Sequence, residues 1–169
     1  MRFVVTGEWR ENHLLRLILA AFLLYALVFW LTNWLLFFAR MELSYASVVE
    51  FYRGAEEHFR EPRSYIVLLE ISHAHLFAMG ILLLTVTHLL LFVPLPIPAK
   101  VLLIVGSFVG ALLDETGGWL VRFAHPGFAY AKIAGFLTLQ ITLGIMLAVV
   151  GYGVARTPPN AYRNGSRRD

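Results

Sequence analysis

Several residues able to do chemistry fall where the sequence is otherwise apolar enough for lipid. Glu70, His73, His75 and His88 lie in one apolar stretch, Asp114 and Glu115 in a second, and Lys132 and Gln140 in a third. Ionisable groups in hydrocarbon are costly, so each is a functional hypothesis. Imidazole ligates metals and exchanges protons near neutral pH. Carboxylates accept protons, pair with cations or complete a metal site. Cysteine is absent. That removes disulfides, Cys-ligated zinc and iron–sulfur clusters, thioether-attached haem and thiol nucleophiles. What remains is imidazole and carboxylate chemistry. Met79 and Met146 read as packing residues rather than soft ligands.

The spacing sorts these groups by depth and by face. Glu70, His73 and His75 fall in the first turns of their stretch, and Asp114 and Glu115 in the last third of the next. If the two stretches are antiparallel helices, all five share one layer, with Arg122, His125 and Lys132 close by. The opposite layer holds only His13 and His88. At about 100° per residue, Glu70 and His73 share a face with Phe77 and Gly80, and His75 points elsewhere. Gly106, Gly110, Asp114 and Gly118 form one row at i,i+4 spacing, with a GxxxG at Gly106–Gly110. Such rows let helices or a flat ligand approach the backbone. The adjacent acids Asp114 and Glu115 cannot face one neighbour; Asp114, on the glycine row, is the inward one, with Arg122 or Lys132 as its partner.

The elements that must position these groups follow from composition. The 169 residues are 59% hydrophobic and 15% charged, far from a water-soluble domain. The thinly spread Lys and Arg form no basic groove, which argues against nucleic-acid binding. A membrane helix needs about 20 apolar residues. Four stretches qualify: Leu14–Phe38, Tyr65–Val93, Ala99–Phe123 and Phe128–Ala155. The fold expected is all-α, a four-transmembrane-helix bundle forming a single integral membrane domain over 1–169, with a polar, flexible tail at 156–169. The first stretch is too long for a signal peptide and reads as a retained helix. The first loop, Ala39–Ser64, contains YASVVEFYRGAEEHF, read as a short amphipathic interfacial helix. The second loop, PLPIP, and the third, centred on His125-Pro126-Gly127, are tight turns. Gly117-Gly118 reads either as part of a functional run or as a loosened helix end. Trp9, Trp30, Trp34, Trp119, Tyr65 and Tyr152 read as an interfacial aromatic belt. Basic residues slightly favour the side of the termini, so the expected location is a bacterial inner membrane with both termini cytoplasmic.

In one respect the chain resembles small four-helix membrane cytochromes of the b type: the second span carries His73 and His88 near opposite faces with Gly80 between them. The resemblance implies haem b, one or two groups, and electron transfer between quinone or a membrane partner and a protein docked at the first loop. His73 or His75 would be the first axial ligand and His125 the second, with His88 and His13 for a second haem. Glu70 would accept the free N–H of His73, and Arg122, Lys132 or Arg63 would hold the propionates. Two departures stand out. His73 and His88 are about 60° off one stripe, and no other helix carries a matching pair, a shortage that a homodimer would relieve. Two alternatives follow from the residues alone. Glu70-Ile-Ser-His73 is a Glu-x-x-His pair, which with His75 or His125 and Asp114 or Glu115 suits non-haem iron or manganese. Glu70, Asp114, Glu115, Lys132 and Arg122 would otherwise form a polar network in a cofactor-free accessory subunit of a larger respiratory or photosynthetic membrane complex. Asp114 or Glu115 could also pass protons to a quinone.

Overall fold

The computed structural model describes residues 13–155. Its elements are α1 (His13–Arg40), α2 (Tyr45–Arg53), α3 (Tyr65–Leu90), α4 (Ile97–Phe123) and α5 (Ala129–Ala155). Short 3-10 turns, Glu56–His58 and Pro126–Phe128, precede α3 and α5. α1, α3, α4 and α5 are each long and apolar enough to cross a bilayer. The protein is an integral membrane bundle of four spanning helices. The tail at 156–169, Trp9 and most of the basic residues on the side of the termini, on which the orientation rests, lie outside the described residues.

Local chemistry sets the boundaries. Ser44 and Ser64 cap α2 and α3, each accepting the backbone N–H three residues on. Pro98 sits in the first turn of α4, where a missing N–H costs nothing. Gly54 ends α2 with φ 81°, and a Cβ there would lie 2.8 Å from the Pro62 nitrogen. Only glycine fits that turn.

α5 is the axis of the bundle, packing against α1, α3 and α4. α4 and α5 lie closest, because glycine removes the side chain where their backbones meet. A Cβ on Gly110 would lie 2.7 Å from the Leu139 nitrogen, and one on Gly117 2.8 Å from the Lys132 Cα. From the other helix, a Cβ on Gly135 would lie 2.7 Å from the Leu113 carbonyl carbon. With lipid outside, such close van der Waals packing is the main force holding spanning helices together.

α2 does not float free at the interface. It lies against α4 and α5, burying Val48, Phe51 and Tyr52 with Phe37 and Phe136. Trp30 and Trp34 also depart from the belt expectation. The Trp30 indole donates to the Gln140 carbonyl at 2.9 Å, and Trp34 meets Phe136 edge-on at 5.1 Å. Both tie α1 to α5, which gives indoles a packing role deep in the span. The Gln140 side-chain amide is fully buried with no hydrogen-bond partner among the described residues, a standing cost to the fold.

Gly135→Ala is expected to lower the melting temperature in detergent and loosen α4 from α5. Gly151→Ala, where an added Cβ meets nothing within 4 Å, is expected to leave it unchanged or slightly higher. Circular dichroism melts of the two variants compare them directly.

Candidate functional site

α4 presents two adjacent acids to two different neighbours. Asp114 turns toward α5, where the Lys132 ammonium donates to its carboxylate at 2.6 Å and to its backbone carbonyl at 2.8 Å. Both side chains are nearly buried, at 8% and 9% exposure. An uncompensated charge at this depth would cost several kcal/mol, so the pair is held by mutual need. Gly117 gives the Lys132 backbone room to approach, and Gly118 does the same for Tyr52 of α2. A Cβ at Gly118 would lie 2.7 Å from the Tyr52 hydroxyl oxygen. The two glycines therefore seat neighbours rather than loosen the helix, which runs unbroken to Phe123. Burial pushes the Tyr52 hydroxyl above its ordinary value, with Lys132 opposing and Asp114 reinforcing the shift. The phenol is therefore neutral at physiological pH.

Glu115 faces α3. Its carboxylate accepts the Ser72 hydroxyl in a short hydrogen bond, and Ser72 accepts the Trp119 indole N–H at 2.8 Å. The other carboxylate oxygen lies 4.0 Å from His75 Nδ1. Trp119, Ser72, Glu115 and His75 thus make a polar chain from α4 to α3. Linked hydrogen bonds of this kind polarise one another at low dielectric.

These groups border a cavity of about 290 Å³. Asp114, Glu115, His75, Tyr52 and Lys132 line it, with Asn33 and Arg40 from α1 and Arg63 at the first-loop end. α1 and α3 pack on α5 but not along one another. Their facing residues Leu36 and Ile71 line the cavity yet are 47% and 42% exposed. The cavity lies between α1 and α3, against α4 and α5. The Arg63 guanidinium lies over the Phe51 ring at 4.2 Å, and its carbonyl accepts Arg122 Nε at 2.8 Å.

The residues singled out from the sequence divide accordingly. Asp114, Glu115, Lys132 and His75 come together at the cavity. Glu70 and His73 lie on the outer side of α3, exposed and without a partner among the described residues, so Glu70 does not join the buried network. Arg122 binds a carbonyl and lies beside Phe123 instead of pairing with a carboxylate. His125 is exposed at the α4–α5 turn, where its Nδ1 accepts the Gly127 N–H at 3.0 Å. His88 meets Phe92 edge-on at the far end of α3, and His13 is exposed at the start of α1. Among the described residues, no three His, Asp or Glu side chains converge in ligating geometry. The cavity also uses residues not singled out from the sequence, Tyr52, Asn33 and Arg40, and Ser72 donates to its Glu115. Only Tyr52 carried a signal, since it shares the apolar face of the first-loop segment with Val48 and Val49.

A family model described as a transmembrane helical domain matches residues 42–161. None of the curated proteins and none of the solved structures compared with the chain matches it significantly.

Removing one member of the buried pair strands the other's charge. Asp114→Leu or Lys132→Met alone is expected to cost about 3–5 kcal/mol of stability. The double variant replaces the pair with apolar side chains and is expected to recover most of that loss. Denaturant unfolding of the purified protein in detergent measures all three.

Proposed function

The chain belongs to the Aq_1264_TM family of transmembrane helical domains, and from that premise we propose that it is a membrane subunit that binds the headgroup of a lipid-soluble quinone. The observation that carries the reading is the convergence of donors and acids on one cavity lined by both α1 and α3; in this proposal it opens to the bilayer between those two helices. A quinone enters from the bilayer with its tail left in the mouth, and its ring needs a slot lined by apolar walls and a few directed donors. The cavity is at the small end of ligand pockets, about 300 Å³, and suits one substituted ring better than a macrocycle. Tyr52, Lys132 and His75 are the donors for the ring's carbonyl oxygens. Phe37 and Phe136, stacked with centroids 3.9 Å apart, and Trp119 form its walls.

Reduction of a quinone to a quinol takes two electrons and two protons. In this proposal the electrons come from a redox partner in the same membrane, and the chain handles the protons. Glu115 and His75, facing one another at 4.0 Å, exchange protons with the bound ring. Asp114 accepts from Lys132 and holds that ammonium at the cavity.

Haem b and non-haem iron or manganese are not assigned to this cavity. A reduced-minus-oxidised optical spectrum of the purified protein reports a bound haem independently.

Trp119 lines the cavity, so its fluorescence reports occupancy. Titration with a short-chain ubiquinone or menaquinone analogue is expected to quench it saturably. His75→Ala and Glu115→Gln should each weaken binding by tenfold or more, and His88→Ala, at the far end of α3, should not. Linear, non-saturable quenching, or equal affinity in all four proteins, would contradict the reading.

A further inference from the structure

The outer face of α3 is not built for lipid alone. Glu70 and His73, one turn apart, point away from the bundle and are exposed. Neither side chain has a hydrogen bond or ion pair among the described residues. The opposite face of the same helix buries Leu68, Ser72, Met79 and Leu83. α3 has 26 residues, about 39 Å at 1.5 Å per residue, against a hydrocarbon core of about 30 Å. His73 lies about 12 Å along the axis from Tyr65, well inside the core and beyond the reach of a short side chain to water. An imidazole and a carboxylate at this depth want partners.

We infer that this face is the contact between two copies of the chain. A carboxylate and an imidazole one turn apart on one face form a self-complementary pair. When two identical α3 helices lie parallel about a two-fold axis along the membrane normal, equal depths meet. Glu70 of each copy is then within one turn of His73 of the other, and two reciprocal acid–imidazole contacts close. A two-fold interface of this kind uses the same patch twice. The deeper half of the face permits the close approach that such contacts need. On that face a Cβ at Gly80 would meet nothing within 4 Å, and Phe77 is 72% exposed. Small residues let spanning helices approach, and polar side chains bond across them. The pairing leaves the quinone cavity untouched, because the α3 residues that line it, Leu68, Ile71 and His75, are on the other side of the helix. The two proposals therefore stand or fall separately.

The absence of cysteine makes the test direct. Phe77→Cys, in the middle of the face, should form a disulfide-linked dimer in proteoliposomes under mild oxidation. Leu102→Cys, exposed on α4, should not. Light scattering in mild detergent should give the mass of two chains for the native protein. His73→Phe should shift it to one chain and cut the Phe77→Cys crosslink at least fivefold. The exchange Glu70→His with His73→Glu keeps the face self-complementary and should restore both signals. Circular dichroism of each variant reports its folding, and the Phe77→Cys crosslink needs no change to the charged pair. A monomeric native protein, equal crosslinking from Phe77→Cys and Leu102→Cys, a dimer indifferent to His73→Phe, or a different protein found covering the face would each overturn the inference.

Discussion

The Asp114–Lys132 pair is the constraint around which the first-loop half of the bundle is arranged. Lys132 enters the membrane one turn into α5 and reaches both the carboxylate and the backbone carbonyl of Asp114. Both side chains are nearly buried, so the two helices are held in register as well as in contact. A buried pair of this sort adds little net stability over an apolar one. Its effect is to fix geometry, because any shift of α4 against α5 strands a charge. The orientation of Glu115 follows from it. With Asp114 committed to α5, the next residue, about 100° on, is turned toward α3 and Ser72.

Glycine placement makes the pair reachable. Gly117 admits the Lys132 backbone, Gly118 admits the Tyr52 ring, and Gly110 and Gly135 close the rest of the seam. The same device draws in α2, whose Tyr52 caps the buried charges with a neutral hydroxyl. α1 contributes least to this arrangement, being held to α5 chiefly by Trp30, Trp34 and Phe37. α1 and α3 each pack on α5, and the cavity lies between them.

The four spans were legible in the sequence to within a few residues, because an apolar run of membrane length permits little besides a helix. The inward turn of Asp114 was legible too, from its place on the glycine row, as was the clustering of acids and imidazoles at one depth. What stayed hidden depends on distance across helices. Periodicity places His73 and His75 on different faces but does not say which face is inside, and His75 is the one at the cavity. Ser72, small and hydroxyl-bearing, had no signal as the partner of Glu115. Trp30 and Trp34 followed the belt rule by composition, whereas packing against α5 drew them inward. The choice of Lys132 over Arg122 turned on the length of approach that Gly117 allows.

The central claim is that the polar cavity receives an amphiphile from the bilayer through the mouth between α1 and α3. Photolabelling in proteoliposomes with a light-activated quinone bearing a long tail, followed by peptide mass spectrometry, tests it most directly. The account requires adducts on α1 between Asn33 and Arg40 and on α3 between Leu68 and His75, suppressed by excess unlabelled quinone. Adducts confined to the outer face of α3 or to α4, or labelling that excess quinone does not suppress, would contradict it.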